Sequence, residues 1–166
     1  MESKDKSGKR QVSKELKMIN VRTKGATFER QIVNSLNHFF YENGLGVRCK
    51  RNLEQYQAKE QCDIDIPFHA IECKSYKEGN WYRPEWWRQV VKSANGRIPA
   101  LVYKFNRTPV KVCVPLAAIN TDWHFDVDQT AVLMFDEWLK VLQRNWQSYI
   151  NQEASTSGSI RSHKAA

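Results

Sequence analysis

Cys62-Asp63-Ile64-Asp65-Ile66-Pro67-Phe68-His69-Ala70-Ile71-Glu72-Cys73-Lys74-Ser75 is the stretch from which the rest of this chain is read. It divides into two short segments, Asp63 to Ile66 and Ala70 to Cys73, separated by Pro67, Phe68 and His69. Proline cannot donate to a ladder but suits a turn, so the stretch predicts a β-hairpin. With the turn centred between Pro67 and Phe68, Asp63 lies opposite Glu72 and Asp65 opposite Ala70. Opposed residues share a face, with Cβ atoms roughly 5 Å apart. Glu72 and Lys74, two apart on one strand, also leave from a common face, while Ile71 and Cys73 point to the other. Two carboxylates and an ammonium are thereby gathered, and carboxylates that close repel unless a divalent cation lies between them.

Upstream, Phe28, Ile32, Leu36 and Phe40 recur every four residues from about Gly25 to Tyr41, with Val33 and Phe39 widening the stripe. This is the period of an amphipathic helix. Asn43, Gly44 and Gly46 stop it, because glycine accepts a left-handed cap without steric penalty. A strand is expected near Val47 to Lys50. Downstream, Pro84 suits the first turn of a second helix, and Trp86, Trp87, Val90, Val91 and Ala94 line one side of it until Asn95 and Gly96. Strands are expected at Ile98 to Phe105 and Val110 to Val114, joined through Asn106, Arg107, Thr108 and Pro109, with a short one at Ala131 to Met134. Asp136 is the expected N-cap of a last helix faced by Trp138, Leu142, Trp146 and Tyr149.

A chain of 166 residues, 41% hydrophobic, suits one domain with one core. Residues 1–22 read as a basic flexible tail, 23–151 as the folded domain, and 152–166, with Ser155, Thr156, Ser157, Gly158 and Ser159, as a second flexible tail. In the leader Lys4, Lys6, Lys9, Arg10, Lys14, Lys17 and Arg22 outnumber Glu2, Asp5 and Glu15. The net charge of +8 favours a polyanionic partner, nucleic acid first, through long-range attraction and counterion release. Cys49, Cys62, Cys73 and Cys113 form no C-x-x-C pair and read as reduced structural thiols. No apolar run approaches the ~20 residues that span a bilayer, and the N-terminus lacks the apolar core of a signal peptide, so a cytoplasmic protein without a membrane partner is expected. His38 and His69 lack ligand spacing and read as structural or solvent-facing.

A hard cation such as Mg²⁺ takes oxygen ligands and keeps several waters, so Asp63, Glu72 and a main-chain carbonyl form a sufficient protein share. Such an ion polarises a phosphate and acidifies water, while Lys74 can orient that water or neutralise developing charge. The reaction class this points to is phosphodiester hydrolysis.

Several segments together carry a resemblance: Lys24-Gly25-Ala26-Thr27-Phe28-Glu29-Arg30, Arg51-Asn52-Leu53-Glu54-Gln55-Tyr56, Cys62-Asp63-Ile64, Ile71-Glu72-Cys73-Lys74 and Trp86-Trp87-Arg88-Gln89. The pattern resembles the PD-(D/E)XK nuclease superfamily, especially its phage and archaeal Holliday junction resolvase-like branch, over about Val21 to Pro115. The resemblance implies an α/β, restriction-endonuclease-like core with a central mixed β-sheet flanked by helices. It implies Asp63 and Glu72 as metal ligands, Cys73 as donor of a main-chain carbonyl, Lys74 as the catalytic lysine, Glu29 as a further acid of the site and Gln89 as a glutamine near it. The superfamily's Pro-Asp pair is Cys62-Asp63 here, and the interval from Asp63 to Glu72 is short, so Asp65 stands as the alternative ligand. The other reading of Glu29 is an ordinary first-turn acid favoured by the helix dipole.

Arg48, Lys50, Arg51, Arg83, Arg88 and Lys92 supply cations for phosphates around the motif, and Trp81 and Tyr82 can stack on exposed bases, whereas Trp86 and Trp87 suit the core. The expectation is a Mg²⁺-dependent endodeoxyribonuclease, with Mn²⁺ as a possible substitute, acting on branched DNA such as a Holliday junction and dimeric if it cuts two strands symmetrically. The alternatives are a nuclease for forks, flaps or host DNA, and a non-catalytic basic DNA-binding module whose charges form an incidental salt-bridged face.

Overall fold

The computed structural model describes the backbone of residues 5–53 and 61–163 and the side chains of residues 10–53 and 61–152. Glu2 and Lys4 of the leader, and Glu54, Gln55 and Tyr56 of the motif at 51–56, lie outside the described residues. The hairpin has the expected register. Strand β1 (Ile64–Ile66) pairs antiparallel with β2 (His69–Tyr76), Ile64 against Ile71, Asp65 against Ala70 and Ile66 against His69. Phe68, at φ 67°, supplies the left-handed residue of the turn. His69 belongs to the strand and not to the turn. Its ring is buried against Trp138 and Tyr149, and its Nδ1 lies 3.1 Å from the Pro67 carbonyl oxygen, which only accepts, so Nδ1 carries the proton.

From β2 the chain crosses through helix α2 (Pro84–Ala94) into β3 (Ile98–Phe105), which lies parallel to β2 with Glu72 beside Leu101 and Lys74 beside Tyr103. A parallel pair needs such a crossover, and a helix commonly supplies it. Gly79, on the way to α2, has φ 139° and lies against the Phe105 ring, where an added Cβ would come within 2.3 Å of a ring carbon. Asn95 ends α2 in the left-handed conformation. Strands β4 (Lys111–Pro115) and β5 (Thr130–Met134) extend the sheet antiparallel, in the spatial order β1-β2-β3-β4-β5.

Helices α1 (Asp5–Glu42) and α4 (Phe135–His163) cover one face, where Phe28, Ile32, Leu36, Phe40, Trp138 and Leu142 pack on Ile71, Cys73, Val102 and Val112. Helix α2 covers the other, with Trp86, Trp87 and Val90 on Leu101, Tyr103 and Phe105. Each large apolar side chain so buried contributes about 1.5–3 kcal/mol. The result is a five-stranded mixed sheet between helices, the α/β, restriction-endonuclease-like core implied by the sequence.

Some local expectations fail, each for a physical reason. Helix α1 begins at Asp5, so the leader continues the helix. Its residues from Arg10 to Thr23 are exposed, and Lys, Arg, Glu, Leu and Met are good helix formers even where nothing packs on them. Helix α4 likewise runs through Ser155–Ser159. Residues 47–50 form no strand, because Asn37 takes the ladder partner's place: its Oδ1 accepts the Cys49 N–H at 2.8 Å and its Nδ2 donates to the Cys49 carbonyl at 3.0 Å. Helix α4 starts at Phe135, one residue before the expected cap, and Glu137 accepts the Met134 N–H at 3.1 Å, leaving Asp136 in the first turn. The four-residue helix α3 (Leu116–Ile119) is too short for periodicity to reveal. The stop of α1 is as expected. Gly44, at φ 62°, donates to the Tyr41 carbonyl and Leu45 to that of Phe40, which is a Schellman cap.

Candidate active site

The site lies just before β1 begins, where the edge of β2 opens. Asp63 precedes β1, and its Oδ2 accepts the Cys73 N–H at 2.7 Å, in place of the ladder bond a longer β1 would have made. A residue's N–H and C=O leave a strand on the same side, so the Cys73 carbonyl also points to this open edge. Glu72 is 2% exposed and Asp63 5%. One Glu72 oxygen, Oε1, accepts from Lys74 Nζ at 2.9 Å and from Gln89 Nε2 at 2.6 Å. The other, Oε2, is buried without a hydrogen-bond partner.

Glu29 comes to the same edge from α1 on the opposite layer, buried, with its Oε2 2.5 Å from Arg51 Nε. Helix α2 delivers Gln89 and α1 delivers Glu29, so three elements converge on the end of one strand.

Burial, followed by the charge of Glu72, pushes the Asp63 carboxyl up to about 7. Burial also raises Glu72, with Lys74 opposing it. For Lys74 burial pulls downward, but Glu72 and then Asp63 more than offset it and hold the ammonium above the ordinary lysine value. Two buried carboxylates, one oxygen unsatisfied, suit a divalent cation. Among the described residues no three His, Cys, Asp or Glu side chains are disposed to hold an ion by themselves. The groups that could hold such an ion are the two carboxylates and the Cys73 carbonyl, with water completing the mixed oxygen set that a hard cation accepts.

Asp65, the alternative ligand, is the middle residue of β1, exposed, ion-paired with Arg97 and accepting from Cys62 Sγ at 3.1 Å. Arg97 was not anticipated, since its partner is 32 residues away and no local pattern marks it.

The candidate DNA contacts separate. Arg51 is not a free cation, because Glu29 takes it. Arg48 and Lys50 are exposed and line, with Arg97, a cleft of about 790 Å³ that lies beside β1 and contains neither Glu72 nor Lys74. Arg83 lies over the rings of Tyr76 and Trp86, 5.0 and 5.3 Å from their centroids. Arg88 and Lys92 are exposed on α2. Trp81 is exposed and stacks on Tyr82, whereas Tyr82 is half-buried against Tyr103 and has little face left for a base. All four cysteines are buried and unpaired, with burial raising Cys49 to about 11 and Cys62 to about 12, so they are inert thiols. Among the described residues no helix is long and apolar enough to cross a membrane.

A mixed sheet with helices on both faces, presenting Asp63 and the Glu72-x-Lys74 pair at an open strand edge, defines a nuclease of the PD-(D/E)XK class. The particular family follows from comparison: the family described as "Phage putative PDDEXK endonuclease" matches residues 20–149, and the chain belongs to it. No curated protein matches the chain.

Proposed function

We propose that the protein is a Mg²⁺-dependent endonuclease that hydrolyses phosphodiester bonds in branched DNA, four-way junctions foremost, as a homodimer in the host cytoplasm. The observation that carries the hydrolytic reading is the unpartnered, buried Oε2 of Glu72 beside the buried Asp63. The branched substrate rests on the likeness of the motifs to junction-resolving nucleases, and the dimer on the two symmetric cuts that a four-way junction needs.

Asp63, Glu72 and the Cys73 carbonyl would hold the ion. When bound, it supplies charge neutralisation at the scissile phosphate and acidifies nearby water. Lys74, held cationic by Glu72, is unsuited to remove a proton, so its part is to orient the attacking water and offset charge growing on the phosphate. Gln89 fixes the Glu72 carboxylate through Oε1, the oxygen that Lys74 also holds, leaving Oε2 for the ion, and Arg51 fixes Glu29. The low exposure of both carboxylates excludes bulk water, which strengthens each of these interactions.

The test is cleavage by the full chain of a four-way junction, a fork, a flap and a linear duplex, each with Mg²⁺, Mn²⁺ or chelator. Metal-dependent cutting with the junction preferred is expected. Cutting in chelator would overturn the metal role, and equal cutting of linear duplex would overturn the branched substrate.

A further inference from the structure

A second cleft, of about 410 Å³, lies between α1 and the ends of β2 and β3, and its lining includes Lys24, Gln31, Ser75, Lys104, Asn106 and Arg107. No carboxylate lines it among the described residues. Two of its cations are oriented by neutral groups. Lys24 Nζ donates to Asn106 Oδ1 at 2.6 Å, and Lys104 Nζ donates to Gln31 Oε1 at 3.4 Å while lying 4.8 Å from the centroid of the Phe28 ring. An amide oxygen or a ring holds an ammonium in place without neutralising it, so the full charge faces the cleft. Arg107 sits at φ 62° in the turn between β3 and β4, a backbone state uncommon for arginine. The Ser75 hydroxyl is buried with no hydrogen-bond partner.

We propose that this cleft binds a backbone phosphate of the substrate strand, to one side of the bond that is cut. Phosphate chemistry matches what is present: convergent cations without acids, and a hydroxyl needing a partner that accepts or donates. Position supports it as well. Ser75 follows Lys74 directly on β2, and Gln31 is two residues from Glu29 on α1, so the cleft shares both elements with the candidate active site. Ser75 leaves β2 on the face covered by α1 and Glu72 on the face covered by α2, so a strand touching both would pass around the edge of β2. The cleft thus suits a phosphate flanking the scissile one. This deepens the nuclease reading and rests on it for the identity of the strand.

The experiment is fluorescence anisotropy of the full chain with a labelled four-way junction in chelator, across a salt series, comparing wild type, Lys104→Gln/Arg107→Asn, Lys24→Gln and, as a control on α4, Lys140→Gln. Asparagine tolerates the left-handed backbone at 107, and Lys24→Gln, whose amine is held by Asn106, reads the same cleft should the double variant fold poorly by circular dichroism. The double variant is expected to weaken binding about tenfold and to lower the slope of log K against log salt by about one. Lys24→Gln is expected to shift both in the same direction, and Lys140→Gln neither. Wild-type affinity and slope in both cleft variants would overturn the proposal. So would a cleft that binds only inorganic phosphate, seen as loss of orthophosphate binding by calorimetry in the double variant with DNA affinity and slope unchanged. Cleavage is not read here: a chain that binds DNA through this cleft yet cuts nothing would sink the nuclease reading and leave the cleft standing.

Discussion

Asp63 and Asp65 are two residues apart at one edge of the sheet, and their surroundings differ in almost every respect. Asp65 is half exposed in its side chain, ion-paired with Arg97, and accepts from Cys62. Asp63 is buried, accepts one main-chain N–H, and shares its pocket with the charges of Glu72 and Glu29 as well as Lys74. Stability alone would favour the Asp65 arrangement at both places, since a buried carboxylate beside another is disfavoured as an ion. The cation proposed for this site would relieve that repulsion at Asp63, and Asp65 needs none.

The largest expected effect breaks this contrast directly. Asp63→Asn, Glu72→Gln or Lys74→Ala should each lower the cleavage rate at least about a thousandfold with DNA affinity little changed, whereas Asp65→Asn keeps the rate within a few-fold. Single-turnover cleavage beside anisotropy checks it. An inactive Asp65→Asn with an active Asp63→Asn would exchange the roles of the two residues.

Acid–base behaviour sharpens the contrast in free energy. Asp63 is raised to about 7 by burial and then by Glu72, so its contribution to the stability of the metal-free fold is full below its ordinary carboxyl value and is lost as pH rises through about 7. Mg²⁺ should therefore raise Tm most at and above neutral pH. Asp63→Asn, which keeps an acceptor for the Cys73 N–H, should raise the metal-free Tm at pH 8 and abolish the response to Mg²⁺. A metal-free Tm that falls in Asp63→Asn would mean that the carboxylate is already compensated.

His69 has the opposite sign in an overlapping window. Burial lowers it to about 4, so its contribution is present above its ordinary value and is lost as pH falls from about 6.5 through 4, on the order of 3 kcal/mol in all. In the wild type the two slopes partly cancel. Denaturant titrations of His69→Phe and Asp63→Asn against pH should separate them, His69→Phe removing the acid-side loss. An unchanged acid limb in His69→Phe would show that the imidazole is not held neutral in the fold.

Much of this was legible in the sequence because it is local. The hairpin register follows from Pro67 and the alternation on either side: Asp65 pairs with Ala70 as expected and Lys74 shares a face with Glu72, while Asp63, just before the ladder begins, reaches β2 through its side chain. The helical stripe from Phe28 to Phe40 was equally plain, since a period of about 3.6 needs no knowledge of the partner face. What escaped depends on partners far along the chain. Arg51 carries no mark saying that Glu29 will take it, nothing local ties Arg97 to Asp65, and Asn37 replaces a strand partner for Cys49 across 12 residues. Charged residues near a motif therefore read alike as DNA contacts until the fold shows which of them are already engaged.

The smallest expected effect concerns the pair that sets Asp65 apart. Its side chains are 50% and 34% exposed for Asp65 and Arg97, so solvent screens the attraction, and an exposed pair of this kind contributes about 0.2–1 kcal/mol. Asp65→Asn should lower Tm by no more than about 2–4 °C in a chain of this length, with Arg97→Gln similar and the double variant close to either one. The coupling from that cycle should fade in high salt. A coupling of several kcal/mol that persists in molar salt would instead place Asp65 among the buried, structurally committed charges. The difference between the two aspartates would then reflect only which cation happened to be near, and no longer mark Asp63 as a position held for a ligand.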